Sequence, residues 1–517
     1  MNKIMVIIIL LYFWGTNAWG QGFMKSYYIE HAYGMNGTDI IINNGYILFT
    51  VQLHSIYNLS CMGAIEVDTN GIVENERMYI NPIGNFLKSK GVKKINNSNI
   101  VATGAINKPE YQLQFFFLRV NENLDSLHLL EYGNLQELEN TVQIAPLADT
   151  IFCSISYGDF NNSYSNCYLL KLDTCLTPLS EVPLNSISNH PLNYTTAIAM
   201  SKDSLYTYIS TKSTSNLTYF YRSINKVDKN GNIIWQYPIT GTLDYPNATM
   251  KVVVLENGNL VFRWFDDGIG NTYKHSYITC LNPDGGFVWR YDFNDVAYEK
   301  SPADITLAAN GDIIGCGTTA NPNYNYPCGW LFRLSPEGDL IWEREYISGL
   351  NFINFVGANG IAEDISGNIV SSGVIVGTIP TGGYTSNALL LKVLPNGCFT
   401  PGCNGGAEDT LIIASTVVGV ESVPKPQPQV LGVSPLVVFP NPTNGVVQIL
   451  LPAQRQNAQI LFTNLSGHTL KTVPVPATQY NQSQMSIDIT DLPDGMYIIS
   501  YEVAGKIIAT TKLVVAK

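Results

Sequence analysis

Two turn signals recur through the chain at one spacing, and a repeat of this kind constrains the fold before any single motif is considered. The first comes at Asn44-Gly45, Asn97-Ser98, Ala148-Asp149, Lys202-Asp203, Asn257-Gly258, Asn310-Gly311 and Ser366-Gly367, with second members 53, 51, 54, 55, 53 and 56 residues apart. The second signal falls half a period later and opens on Asp68, Asn121, Asp173, Asp228, Asn282, Ser335 and Leu394. Two interleaved ladders of one period define seven units.

The sixth unit shows the internal order: a strand at Ile305 to Ala308, a tight turn, a strand at Ile313 to Cys316, a loop from Gly317 to Pro327, a strand at Trp330 to Leu334, a second tight turn, and a strand at Leu340 to Tyr346. This pattern predicts a four-stranded antiparallel meander. The fourth strand carries Ile341-Trp342, matched by Ile234-Trp235 and Val288-Trp289, large side chains that sheet-on-sheet packing is expected to bury. A unit of about 50 residues suits a propeller blade. The fold class read here is all-β: residues 22–403 form a seven-bladed β-propeller of four-stranded blades, followed by a small C-terminal β-sandwich. The last unit stops at Cys398 without an aromatic fourth strand, whereas Met24 to Gly34 precedes the first unit and looks like that missing strand. Pairing the two closes the ring and removes the edges that the rival architecture, an open β-solenoid, leaves exposed.

Composition points the same way. Charged residues are 14% of a chain that holds 43 Gly, 26 Pro and 30 Tyr, which disfavours disorder and coiled coil. The formal net charge is −12 and no Lys/Arg stripe reverses it, so nucleic acid is not an expected partner. In a meander blade the loops between second and third strands share one face. Here they are Ser156 to Asn166, Thr211 to Thr218, Asp266 to Lys274, Gly317 to Pro327 and Gly377 to Asn387, rich in Tyr, Asn, Ser, Thr and Gly. Such a surface suits a glycan or protein ligand.

The two ends carry addresses. Lys3 precedes an unbroken apolar run, Ile4 to Trp14, and Ala18-Trp19-Gly20 follows as a small-x-small cleavage pattern, so residues 1–20 are read as a secretory signal peptide. The run is too short to span a bilayer, and no membrane span is expected after its removal. Residues 404–434, with Pro424, Pro426 and Pro428 spaced by Lys and Gln, read as an extended linker. Residues 435–517 alternate between turns as a small antiparallel β-sandwich does. They open on Phe439-Pro440-Asn441-Pro442 with Gly445, turn at Asn464 to Gly467, run through Leu492-Pro493-Asp494-Gly495-Met496-Tyr497 and end on a basic strand. This module resembles the type A C-terminal sorting domain of the type IX secretion system of Bacteroidetes. The resemblance implies a sorting motif of Pro440, Asn441, Pro442, Gly445, Gly467, Leu492, Pro493, Gly495 and Tyr497. It also implies the secretion machinery as partner, and a cargo released or attached at the outer-membrane surface.

Catalytic signals are sparse. No Gly-x-Ser-x-Gly, phosphate loop or dinucleotide fingerprint occurs, and no cofactor is expected. The six His are scattered and Cys-x-x-Cys is absent, which argues against zinc. Turns such as Asp228 to Asn232 lack the full calcium-loop register and are read as turn chemistry. Asp39, Asp304 and Glu363, on the expected inner strands, are weak candidates for a carbohydrate-active site at the channel mouth. The main expectation is a non-catalytic binder, with an adhesion scaffold as a further alternative. Nine Cys in an exported chain suggest disulfides: Cys398 with Cys403, and Cys153 with Cys167 and Cys316 with Cys328, the latter pairs each flanking a long loop.

Overall fold

The computed structural model describes residues 22–27, 32–54, 59–80, 85–96, 98–108, 112–135, 143–159, 164–184, 192–214, 221–239, 250–266, 275–293, 298–321, 327–348, 353–379, 383–400, 408–413, 416–417, 429–430, 437–439, 441–450, 458–464, 467–475, 484–503 and 506–516. The expected signal peptide, Cys403, Pro440 and the tips of the long loops lie outside the described residues.

Each sequence unit folds as an antiparallel meander. In the first, the strands are Ala32–Ile42, Tyr46–His54, Leu59–Val67 and Val73–Ile80. In the sixth they are Lys300–Leu307, Ile313–Thr319, Cys328–Leu334 and Leu340–Ser348. The last unit supplies Ile353–Glu363, Ile369–Ile379 and Gly383–Val393, and its fourth strand is the leading segment Phe23–Tyr27, antiparallel to Gly383–Val393 with Phe23 opposite Lys392 and Tyr27 opposite Ala388. The third and fourth units join into one sheet through a single parallel pair, Ser165 with Leu192.

Turn chemistry sets the register. Asp68 Oδ1 accepts the N–H groups of both Asn70 and Ile72, and Asn121, Asp173, Asp228 and Asn282 repeat this pair of bonds. Ser335 does the same through its hydroxyl. A short side chain with an oxygen is what this turn requires, because it must reach two and four residues ahead. The residue closing each turn has a positive φ, and Gly fills that place at 71, 231, 285, 338 and 397.

The first strand of each unit packs beside the first strand of the next: Ala32–Ile42 beside Asn85–Asn96, then Gln143–Leu147, Leu192–Met200, Lys251–Val254, Lys300–Leu307 and Ile353–Glu363, which returns to Ala32–Ile42. Apolar cores lie between successive sheets, as where Val101, Phe115 and Phe117 meet Ile151 and Ile155, or where Ile278 and Cys280 meet Ile313, Trp330 and Phe332. The arrangement is all-β and propeller-like. Part of the stretch expected as a linker is strand: Glu408–Ile413 pairs in parallel with Leu340–Ser348, and Thr416–Val417 with Phe23–Tyr27. Its apolar residues, Leu411, Ile412 and Ile413, favour that state over open coil.

A second compact unit begins at Val430. It holds two sheets, one of Val437–Phe439, Val446–Leu450 and Gln484–Asp488, the other of Thr469–Pro474, Ala458–Asn464, Gly495–Val503 and Lys506–Val515. Val447, Ile449, Ile460, Phe462, Ile487, Ile499, Tyr501 and Leu513 form its core.

Candidate functional site

At one register of the first strands, three residues before the last strand residue, stand Asp39, Ile144, Ala197, Lys251, Asp304 and Gly360. Gly91 follows a bulge in its strand as Asp39 does and takes the same place in the second unit. The layer therefore brings two carboxylates and one ammonium together among uncharged residues, Gly91, Ile144, Ala197 and Gly360. Lys251 Nζ lies 3.2 Å from Asp304 Oδ1. Asp39 Oδ2 accepts the N–H of Val92 and Oδ1 that of Ile40, each at 2.9 Å, and Asp304 Oδ1 accepts from Ile305 at 2.9 Å. Burial pushes the Asp39 carboxyl above the usual carboxylate range, against the pull of Lys251 and Lys93, while the charge on Asp304 pushes it further up. Burial works against the charge on Lys251, yet Asp304 and Asp39 outweigh it and hold the ammonium above its ordinary value. A side chain at position 360 would put Cβ 2.9 Å from Asp39 Cα, so Gly is required for neighbouring strands to approach this closely.

Glu363 does not join this layer by contact. It lies at the end of its strand, half-buried, where its carboxylate accepts the N–H of Ala309 in the turn of the preceding unit. The expected disulfides across two loops are corrected: Cys153, Cys167, Cys316 and Cys328 are free thiols. Cys153 stands opposite Leu170 and Cys167 opposite Ser156, three places apart in register. Cys316 stands opposite Leu331 and Cys328 opposite Thr319, again three apart. An odd offset puts the two sulfurs on opposite faces of the sheet, about 10 Å apart along the strand, beyond disulfide reach. Cys398 is not among the free thiols, and its expected partner Cys403 lies outside the described residues.

Side-chain bonds to turn carbonyls, which none of the motifs above marks, tie one sheet to the next. Trp235, Trp289 and Trp342 donate through Nε1 to the carbonyls of Pro283, Pro336 and Pro395 at 3.0, 3.1 and 3.0 Å. Lys226, Arg333 and Lys392 reach Pro283, Pro395 and Thr69 from the third strand, and Arg119 reaches Thr174. The acceptor is always the residue after the one that opens the turn. A signal existed: a cation stands two residues before the turn-opening residue at Arg119, Lys171, Lys226, Arg333 and Lys392. The neighbouring apolar residues behave differently from expectation. Trp342 is buried, but Ile234, Val288 and Ile341 are 51%, 43% and 43% exposed, because strand alternation turns adjacent residues to opposite faces.

At the ends of the strands that lead into the long loops, aromatic side chains gather. Tyr157 stacks on Tyr168 at 4.3 Å and 9°, and the hydroxyls of Tyr157 and Tyr132 both donate to Glu181. Trp264 stacks on Tyr277 at 4.3 Å, with the Arg290 guanidinium 5.1 and 5.3 Å from the two rings. Tyr221 is 61% exposed at the first position of its strand.

In the sandwich, the expected motif residues take structural posts. The Asn441–Pro442 peptide is cis. The Gly445 carbonyl accepts from Ile489 at 2.8 Å. Gly467 closes a turn with φ +82°, its N–H donating to Asn464 O at 3.0 Å. Leu492 and Tyr497 are buried, the Tyr497 hydroxyl donating to Pro493 O at 2.7 Å, and Gly495 pairs with Val515.

Among the described residues no helix is long and apolar enough to cross a membrane, and no group of three or more His, Cys, Asp or Glu is placed to hold a metal ion. A search of curated proteins finds no match. Among solved structures, the chain is similar to a subtype N11 neuraminidase-like protein of A/flat-faced bat/Peru (H18N11), at 8% identity and a TM-score of 0.37, covering 73% of this chain and 96% of that one. It is also similar to a neuraminidase-like protein from A/bat/Guatemala, at 13% identity and a TM-score of 0.32, covering 51% and 74%. Both likenesses are weak. Residues 437–516 match the family model of the secretion system C-terminal sorting domain, so the chain carries a type IX sorting domain that engages the secretion machinery and directs export to the cell surface or the extracellular space.

Proposed function

We propose that the exported cargo is a seven-bladed β-propeller, non-catalytic, that binds a glycan or protein ligand through the face where its long loops emerge. The cycle of first strands, each beside the next and the last beside the first, supports the blade count. The observation that carries the binding reading is the aromatic grouping at the loop ends, Tyr157 on Tyr168 beside Glu181 and Trp264 on Tyr277 beneath Arg290. Flat amphipathic rings next to fixed charges suit a sugar ring or a protein side chain. The non-catalytic reading rests on the carboxylates: Asp39, Asp304 and Glu363 are each engaged by backbone N–H groups or Lys251. The test is a glycan array and a pull-down with the full chain, Tyr221→Ala and Tyr277→Ala. Binding that falls in the variants while the fold is kept supports the reading; blank screens favour the scaffold alternative.

One observation favours a hydrolytic alternative. Burial holds the Asp39 carboxyl above its usual range, and a second carboxylate, Asp304, shares its layer, paired with Lys251; a carboxyl raised in this way can serve as the general acid of glycoside hydrolysis. Sugar release by the wild type that disappears in Asp39→Asn establishes that alternative.

A further inference from the structure

The last strand of the sandwich, Lys506–Val515, lies at the edge of its sheet, paired among the described residues with Gly495–Val503. An edge strand carries a row of N–H and C=O groups with no ladder partner. Near the C-terminus this row is taken up by the motif that opens the domain. Asn441 Nδ2 donates to Lys512 O at 2.8 Å, and Val514 N–H donates to Asn441 Oδ1 at 2.9 Å. Thr443 N–H then donates to Val514 O at 2.9 Å, and Ala516 N–H to Thr443 O at 2.8 Å, a parallel bridge. A primary carboxamide offers a donor and an acceptor side by side, as a peptide unit does, so the Asn441 side chain serves as one more residue of strand. An aspartate at this place keeps the acceptor and loses the donor.

Resting on the sorting-domain assignment, we infer that Asn441 is a positioning residue of the export signal. It holds residues 512–516 as a paired strand, and export depends on that strand rather than on the exposed surface of the Asn-Pro turn. The motif at 441–443 and the C-terminal strand are thus one device, although about 70 residues separate them.

The test uses the full chain in a bacterium with a working type IX system. Asn441→Ala removes both side-chain bonds and Asn441→Asp removes one. Ile460→Val, which trims the buried core on the strand Ala458–Asn464 and touches neither the motif nor this edge, controls for lost stability. The exported fraction, the melting temperature of the purified chain and the deuterium uptake of the 506–516 peptide are measured together. Asn441→Ala is expected to raise uptake at 512–516 and lower export about tenfold, the equilibrium effect of two lost hydrogen bonds. Asn441→Asp falls between, and Ile460→Val lowers the melting temperature while its export stays near that of the wild type. If Asn441→Ala is exported as well as the wild type, or if export in Asn441→Ala and Ile460→Val simply tracks melting temperature, the inference is overturned. Should Asn441→Ala fail to fold, Asn441→Asp decides by the same criterion. Failure of the sorting assignment itself looks different, since deleting residues 437–516 then leaves export intact.

Discussion

The Tyr27 hydroxyl donates a 2.9 Å hydrogen bond to the carbonyl of Gly71. The same bond recurs from Tyr79 to Leu124 at 2.7 Å and from Tyr346 to Gly397 at 2.8 Å, each time from a fourth strand to the positive-φ residue in the turn of the next sheet. Tyr27 comes from the leading strand, yet it fills the fourth-strand place of the last unit by side chain as well as by backbone register. One short segment therefore completes the last sheet and fastens it to the first.

This closure has a measurable strength. Tyr27→Phe is expected to cost about 1–2 kcal/mol in urea unfolding, because a buried carbonyl loses its donor. Tyr79→Phe, its counterpart between the first two units, gives a similar loss if the closing contact equals an internal one. Gly71→Ala costs more than either, since φ is +74° and the new Cβ falls 2.8 Å from the Tyr27 oxygen.

The ionic layer is a second point of test. Lys251→Met leaves Asp39 and Asp304 without their shared cation and is expected to destabilise by about 3–5 kcal/mol at neutral pH. The sign of its pH dependence follows from Asp39, whose folded-state acidity is already weakened by burial. A carboxyl raised on folding favours the folded state at low pH and loses that favour as pH rises through the folded value. The deficit of Lys251→Met therefore shrinks as pH falls toward about 4, near the ordinary aspartate value. Thermal melts across that range check it, and a deficit that grows on acidification contradicts the account.

Adjacent residues on one fourth strand should respond oppositely to truncation. Trp342→Ala removes a buried indole and its bond to Pro395, at about 3–5 kcal/mol. Ile341→Thr, on the outward face, stays within about 0.5 kcal/mol. Chemical denaturation of the two variants distinguishes this from the simpler expectation that both are buried.

Thiol reactivity gives a fourth check. Burial pushes Cys61, Cys280 and Cys328 up to about 12, and raises Cys153, Cys167 and Cys316 as well. Cys175 is exposed, in the turn that Asp173 opens. Among the described cysteines it alone should react rapidly with an aromatic disulfide reagent under native conditions, and Cys175→Ser should abolish that reaction. Denaturant exposes the rest.

The repeat, the four-stranded meander and the sorting module are legible in the order of residues, because these depend on local chemistry. A short oxygen-bearing side chain at Asp68 or Asn282 and a Gly three residues on form the same turn wherever they occur. It also marked the leading segment as the missing fourth strand, since Tyr27 and its neighbours had no unit of their own. Which long-range groups meet depends on the packing of the sheets. Asp39, Lys251 and Asp304 share a layer because first strands from distant units converge at one register, whereas Glu363, three residues beyond that register, is drawn to a neighbouring turn. The cysteines flanking a loop are close in sequence, but an odd register offset sets them on opposite faces. Period and turn type are properties of a few consecutive residues; facing and convergence are properties of how sheets are placed against one another.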